Sequence, residues 1–153
     1  MFYNCKKLPA LFGFVLILIV ITASSFRLPA VDFSWIEQCL RRCFNATSTE
    51  AKLKKWELSV TDKGFLRLKK YLPSGKQEYF SFNLNKLEDL SYSGTEESGE
   101  IILKTLSDDI IVQTYNDPKG NIDSMSDLLK IPVTHISSET LDSLRINLKG
   151  KNE

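Results

Sequence analysis

The chain has 153 residues, with 20 lysines and arginines against 19 aspartates and glutamates, for a formal charge of +1. So even a balance supplies no basic field to hold a phosphate backbone, which disfavours nucleic acid as a partner. Three cysteines are too few for a disulfide framework. The length left beyond the amino-terminal apolar run, about 100 residues, suits one compact domain.

Residues 1–7 read as a short cytoplasmic end carrying Lys6 and Lys7. From Leu8 to Phe26 no side chain is charged. At about 1.5 Å per residue that stretch makes a helix of roughly 28 Å, near the hydrocarbon thickness of a bilayer. Ala23, Ser24 and Ser25 offer small residues to a signal peptidase. The run nevertheless exceeds the roughly 7 to 15 residues of a removable signal, which favours a retained transmembrane signal anchor. Lys6 and Lys7 face only Arg27 directly beyond the span, so the positive-inside rule puts the amino terminus in the cytoplasm and the domain outside. A lipid bilayer is therefore one expected partner.

Residues 27–55 read as a juxtamembrane helix and linker. Phe33, Ile36, Leu40 and Cys43/Phe44 recur at spacings of three and four, the mark of an amphipathic helix, and Asp32 is placed to cap it. Phe33 and Trp35 suit a headgroup region, and Arg41 and Arg42 suit lipid phosphates, so these four are the candidate membrane-interface residues. The same stripe equally fits packing on the folded domain or on a partner's membrane helix. Cys39 and Cys43 are poorly spaced for a strain-free disulfide within a helix and read as small apolar side chains on that stripe. From Asn45 to Lys55 the chain turns polar.

Over residues 56–149 the period changes to alternation. Strands are expected at Trp56–Val60, Phe65–Leu72, Glu78–Asn83, Leu87–Thr95, Ile101–Thr105, Ile110–Asn116 and Ile122–Val133, separated by turn residues such as Thr61–Gly64 and Pro73–Lys76. The short connection Leu106–Asp109 predicts that the fifth and sixth strands pair as a hairpin. Pro132 cannot donate to a ladder, which puts the last strand at an edge. Ser137 or Ser138 then caps a final helix with Leu141, Leu144 and Leu148 on one stripe.

About seven antiparallel strands in a meander followed by one amphipathic helix define a small β-rich α+β domain. That order resembles the pleckstrin-homology superfold, which implies two bent sheets forming a partly open barrel with a carboxyl-terminal helix at one end. An up-and-down barrel or a helix-on-sheet domain fits the same pattern. The likeness rests on element order alone, and a fold does not supply a function.

Few residues carry chemistry. His135 is the only histidine and has no signposted nucleophile or paired acid beside it. Asp117–Asp123 resembles a calcium loop superficially, but Lys119 occupies a ligand position and the glycine is displaced. No cofactor fingerprint, metal set or catalytic grouping emerges, so the chain reads as a non-enzyme without a cofactor. Arg67, Lys69, Lys70, Tyr71 and Tyr79, joined by Tyr92 and Tyr115, are expected on outward strand faces, in the composition of protein-binding surfaces. The expected function is a membrane-anchored interaction module, an accessory or assembly subunit of a membrane protein complex. The alternative is a domain that binds a lipid headgroup or small ligand through Arg67, Lys69 and Lys70.

Overall fold

A computed structural model of the chain describes residues 31–48 and 52–149. The expected anchor at 8–26 lies outside those residues, as do the cytoplasmic end and residues 49–51 of the linker. Among the described residues no helix is long and apolar enough to cross a membrane. The compact unit begins at Val31, so the amphipathic helix is part of the domain's body.

Helix α1 (Phe33–Cys43) starts at Asp32, whose carboxylate accepts from the Trp35 amide at 3.0 Å and satisfies one of the orphan donors of the first turn. Its apolar stripe is buried through Ile36, Leu40 and Cys43. Eight strands follow in two antiparallel sheets. The larger contains β1 (Lys55–Val60), β2 (Phe65–Tyr71), β3 (Gln77–Asn83), β6 (Ile110–Tyr115) and β7 (Asp123–Ser126), side by side in that order. The smaller contains β4 (Leu87–Gly94), β5 (Ser98–Thr105) and β8 (Leu128–Thr134) in that order. Helix α2 (Ser138–Lys149) closes the described chain.

Alternation fixes which side chains meet between the sheets. Leu58, Leu66, Leu68, Phe82 and Ile110 of the larger sheet join Leu90, Ile101, Leu103, Leu129 and Ile131 of the smaller in one continuous core. Each such side chain contributes on the order of 1.5–3 kcal/mol when fully withdrawn from water.

Two expectations are corrected here. The stretch expected as one last strand is two, β7 and β8, because the chain turns a corner at Asp127 and changes sheet. The expected β5–β6 hairpin does not form: β5 pairs with β4 and β8, while β6 pairs with β3 and β7. The physical cause is Thr105, which is fully buried. Its amide donates to the Asp127 carbonyl at 2.9 Å and its hydroxyl to the Ser107 carbonyl at 2.6 Å, so Leu106–Asp109 forms a corner between sheets. The β3–β4 crossing lies at the same end, through a single 3-10 turn, Leu84–Lys86, with Asn83 capping Asn85 at 2.9 Å. The uninterrupted meander of a pleckstrin-homology barrel is therefore not the order observed.

The helices seal exposed strand edges. Glu37 of α1 accepts from the Val60 amide at 2.9 Å and Arg41 donates to the Leu58 carbonyl at 3.2 Å, so side chains of one helix satisfy the outer edge of β1. Phe44 bridges Val133, and the Asn45 amide reaches the Pro132 carbonyl at 2.9 Å, which occupies the edge of β8. Pro132 thus sits on an edge strand, where its missing donor costs nothing. On β4, Arg145 of α2 donates to the Leu90 carbonyl at 3.3 Å while Leu141, Leu144 and Leu148 bury their stripe. Ser137 caps α2 by accepting from the Thr140 amide at 3.3 Å.

Candidate functional site

The outer face of the larger sheet carries most of the residues expected to form a partner surface. Residues in register across a sheet share a face. One row runs Glu57, Lys69, Tyr79, Gln113 and Asp123, and the next runs Ser59, Arg67, Ser81, Ile111 and Met125. Phe65, two positions before Arg67 on β2, adds to this face. Tyr71 closes the opposite end, with the Lys55 ammonium 5.3 Å and the Lys69 ammonium 5.0 Å from its ring centre and its hydroxyl 3.3 Å from Glu57. Tyr115 aligns with it across Gln77.

This face is apolar as well as aromatic. Phe65 is 40% exposed, Ile111 39%, Tyr115 43% and Met125 52%. An open depression of about 420 Å3 lies at the Phe65 end of this face, bounded by Phe65, Ser81, Asn83, Lys86, Asp109 and Ile111. The contacts of α1 fall on β1 and β8 and those of α2 on β4, so the packed helices leave this sheet face uncovered.

Lys70 is one exception among the expected residues. It continues the inward series of Leu66 and Leu68, is 9% exposed, and lays its ammonium 5.1 Å from the Phe80 ring centre. Burial lowers its pKa, and the nearby carboxylates of Glu78 and Glu100 oppose that shift. Lys70 is therefore not part of the outer patch. Nor is Tyr92, which belongs to the smaller sheet and gives its hydroxyl to the Thr95 carbonyl.

The four residues expected at a membrane interface are drawn into the domain to different degrees. Phe33 packs against Gly64, whose φ of +79° forms the β1–β2 turn; a Cβ there would stand 2.8 Å from the Phe33 ring. Trp35 is half-buried beside the core. Arg41 pairs with Glu37 at 3.6 Å and stacks over Trp56 at 5.9 Å, while Trp56 meets Phe44 with ring centres 4.4 Å apart. Arg41 and Arg42 are both exposed, but Arg42 alone of the two makes no ion pair among the described residues.

Because α1 folds onto the domain, it brings Cys39 and Cys43 beside His135. Together with Trp35, Arg42, Ile136 and their neighbours they line a cleft of about 390 Å3. Both thiols are free. Burial pushes the Cys43 thiol up to about 12, with Cys39 adding to the rise, and burial also raises Cys39 against the opposing charge of Arg42. Both remain protonated at neutral pH, so neither is an activated nucleophile. His135 occupies a left-handed corner at φ +50°, held by its amide donating to the Glu97 carbonyl at 3.2 Å.

The chain matches no family model, no curated protein and no solved structure.

The Asp117 loop is committed to its own turn. The Asp117 carboxylate accepts from the Lys119 amide at 2.9 Å and pairs with Lys76 at 2.9 Å, and these two partners hold its pKa down. Among the described residues no cluster of histidine, cysteine and acidic side chains has metal-binding geometry. From the sequence, Cys39 and Cys43 can join His135 only if the juxtamembrane segment folds back onto the domain, and α1 does so.

Proposed function

We propose that this protein is a membrane-tethered, non-enzymatic interaction module, an accessory or assembly subunit whose protein partner docks on the outer face of the larger sheet. The observation that carries the reading is that Phe65, Ile111, Met125 and Tyr115, each 39–52% exposed, share one face that no helix among the described residues covers. Exposed apolar residues along one sheet face, two of them (Phe65 and Ile111) beside a depression that Lys86 borders, with Arg67 and Lys69 on the same face, have the make-up of a protein-binding surface, in which a few anchors are surrounded by charged groups. The uncharged run at 8–26 supports the tether, and with it a membrane protein as the partner, the amino terminus in the cytoplasm and the domain on the far side.

A headgroup-binding reading of this face is weaker, since Lys70 is turned inward and Lys69 is engaged with Tyr71. Flotation with anionic liposomes tests it.

The test of the main reading is co-purification of the full chain from mild detergent, compared with an Ile111→Lys/Met125→Lys chain. A partner recovered with the natural chain and lost with the double variant is the expected result. A monodisperse monomer in both preparations overturns the reading.

A further inference from the structure

We propose that the cleft between α1 and the β8–α2 connection is a binding site for a small organic carboxylate with a flat apolar body, its charge held by Arg42 and its body laid against Trp35. This goes beyond the docking-face reading and stands without it. The space, about 390 Å3, falls within the roughly 300–1,000 Å3 of small-molecule pockets. Trp35, Cys39 and Ile136 supply an apolar wall, and Arg42, His135 and Thr140 supply polar groups, the mixture such pockets use to bury a ligand and fix its orientation.

Charge selects the ligand class. Arg42 is the one formally charged residue of the lining; no carboxylate is among the groups that bound it. Both thiols stay neutral, as shown above, so the cleft holds no negative charge at physiological pH. The neighbouring Arg41 is committed to Glu37, the Leu58 carbonyl and the Trp56 ring, whereas Arg42 has no ion-pair partner among the described residues. A guanidinium offers two parallel donors matched to the two oxygens of a carboxylate.

The far wall is built in advance. The corner at His135 is pinned by the Thr134 hydroxyl on the Glu97 carbonyl at 2.7 Å and the Ile136 amide on the Glu96 carbonyl at 3.0 Å. A wall fixed before the ligand arrives lowers the ordering cost of binding.

The probe is naphthalene-2-carboxylate, titrated into the isotopically labelled full chain and followed by amide chemical shifts. Saturable shifts at Gln38, Cys39, His135 and Ile136 are expected, weakened about tenfold or more by Arg42→Gln and by replacing the probe with naphthalene-2-carboxamide. Arg42 is exposed, so its replacement leaves the fold intact. A peptide ending in a free tryptophan carboxylate, set beside its amidated form, identifies the source. Tighter binding than the naphthoate means a chain terminus, and equal or weaker binding means a free small molecule; either supports the site. Absence of saturable shifts with both probes, or equal binding by the Arg42→Gln chain, overturns the proposal.

Discussion

The larger sheet has two edges, and the chain treats them in opposite ways. At β1 the outward amide of Val60 and the outward carbonyl of Leu58 are met by Glu37 and Arg41, two residues one turn apart on α1. At β7 the Thr114 amide donates to the Ile122 carbonyl at 2.9 Å, and the alternation of an antiparallel ladder then turns the amides and carbonyls of Asp123 and Met125 outward. Nothing among the described residues covers them. A short strand of four residues, beginning with a charge, keeps that edge from acting as a template for aggregation. The contrast teaches how an amphipathic helix closes a sheet: the stripe of α1 is buried in the core while its Glu37 and Arg41 meet the backbone groups of the β1 edge.

The largest effect is expected from opening the closed edge at its root. Leu40→Ala removes a side chain that is 2% exposed under α1 and should cost about 2–5 kcal/mol in chemical denaturation. Next comes Gly64→Ala, which forces a Cβ toward the Phe33 ring at a φ of +79° and should lower stability by about 1–2 kcal/mol, visible as a reduced melting temperature. Glu37→Ala leaves the Val60 amide without its acceptor and should cost about 1–2 kcal/mol while leaving the β7 edge untouched.

Effects on the open side should be smaller. Asp117 anchors the β6–β7 connection to Lys76, and its folded-state pKa lies below that of the unfolded chain. That contribution is present at neutral pH and is lost as pH falls through the lower, folded value, so Asp117→Asn should flatten the acid limb of the stability profile. Ile111→Lys and Met125→Lys should change stability by no more than about 0.5 kcal/mol, because both residues are exposed, yet abolish recovery of a partner. A large loss of stability in either variant would show that the open face is covered by the chain itself.

Strand alternation and helix stripes were readable directly: Leu66 and Leu68 pointed inward, Asp32 and Ser137 capped, and Leu141, Leu144 and Leu148 were buried as the pattern required. Lys70 extends the same inward series on β2, and its alternation outweighs the charge that argues for an outer face. Local pattern carries no information on which strands become neighbours. The β5–β6 connection looks like a hairpin turn until Thr105 is seen bonded to Asp127, a contact 22 residues away. The cleft depends on the same kind of long-range contact: Cys39 and Cys43 meet His135 only because α1 lies across β1 and reaches β8.

Amide hydrogen exchange on the full chain tests the contrast between the edges most directly. The Val60 amide should exchange as slowly as the core strands and speed up in Glu37→Ala, while the Asp123 and Met125 amides exchange fast in both. A Val60 amide that exchanges as fast as Met125, and is unmoved by Glu37→Ala, would contradict the account.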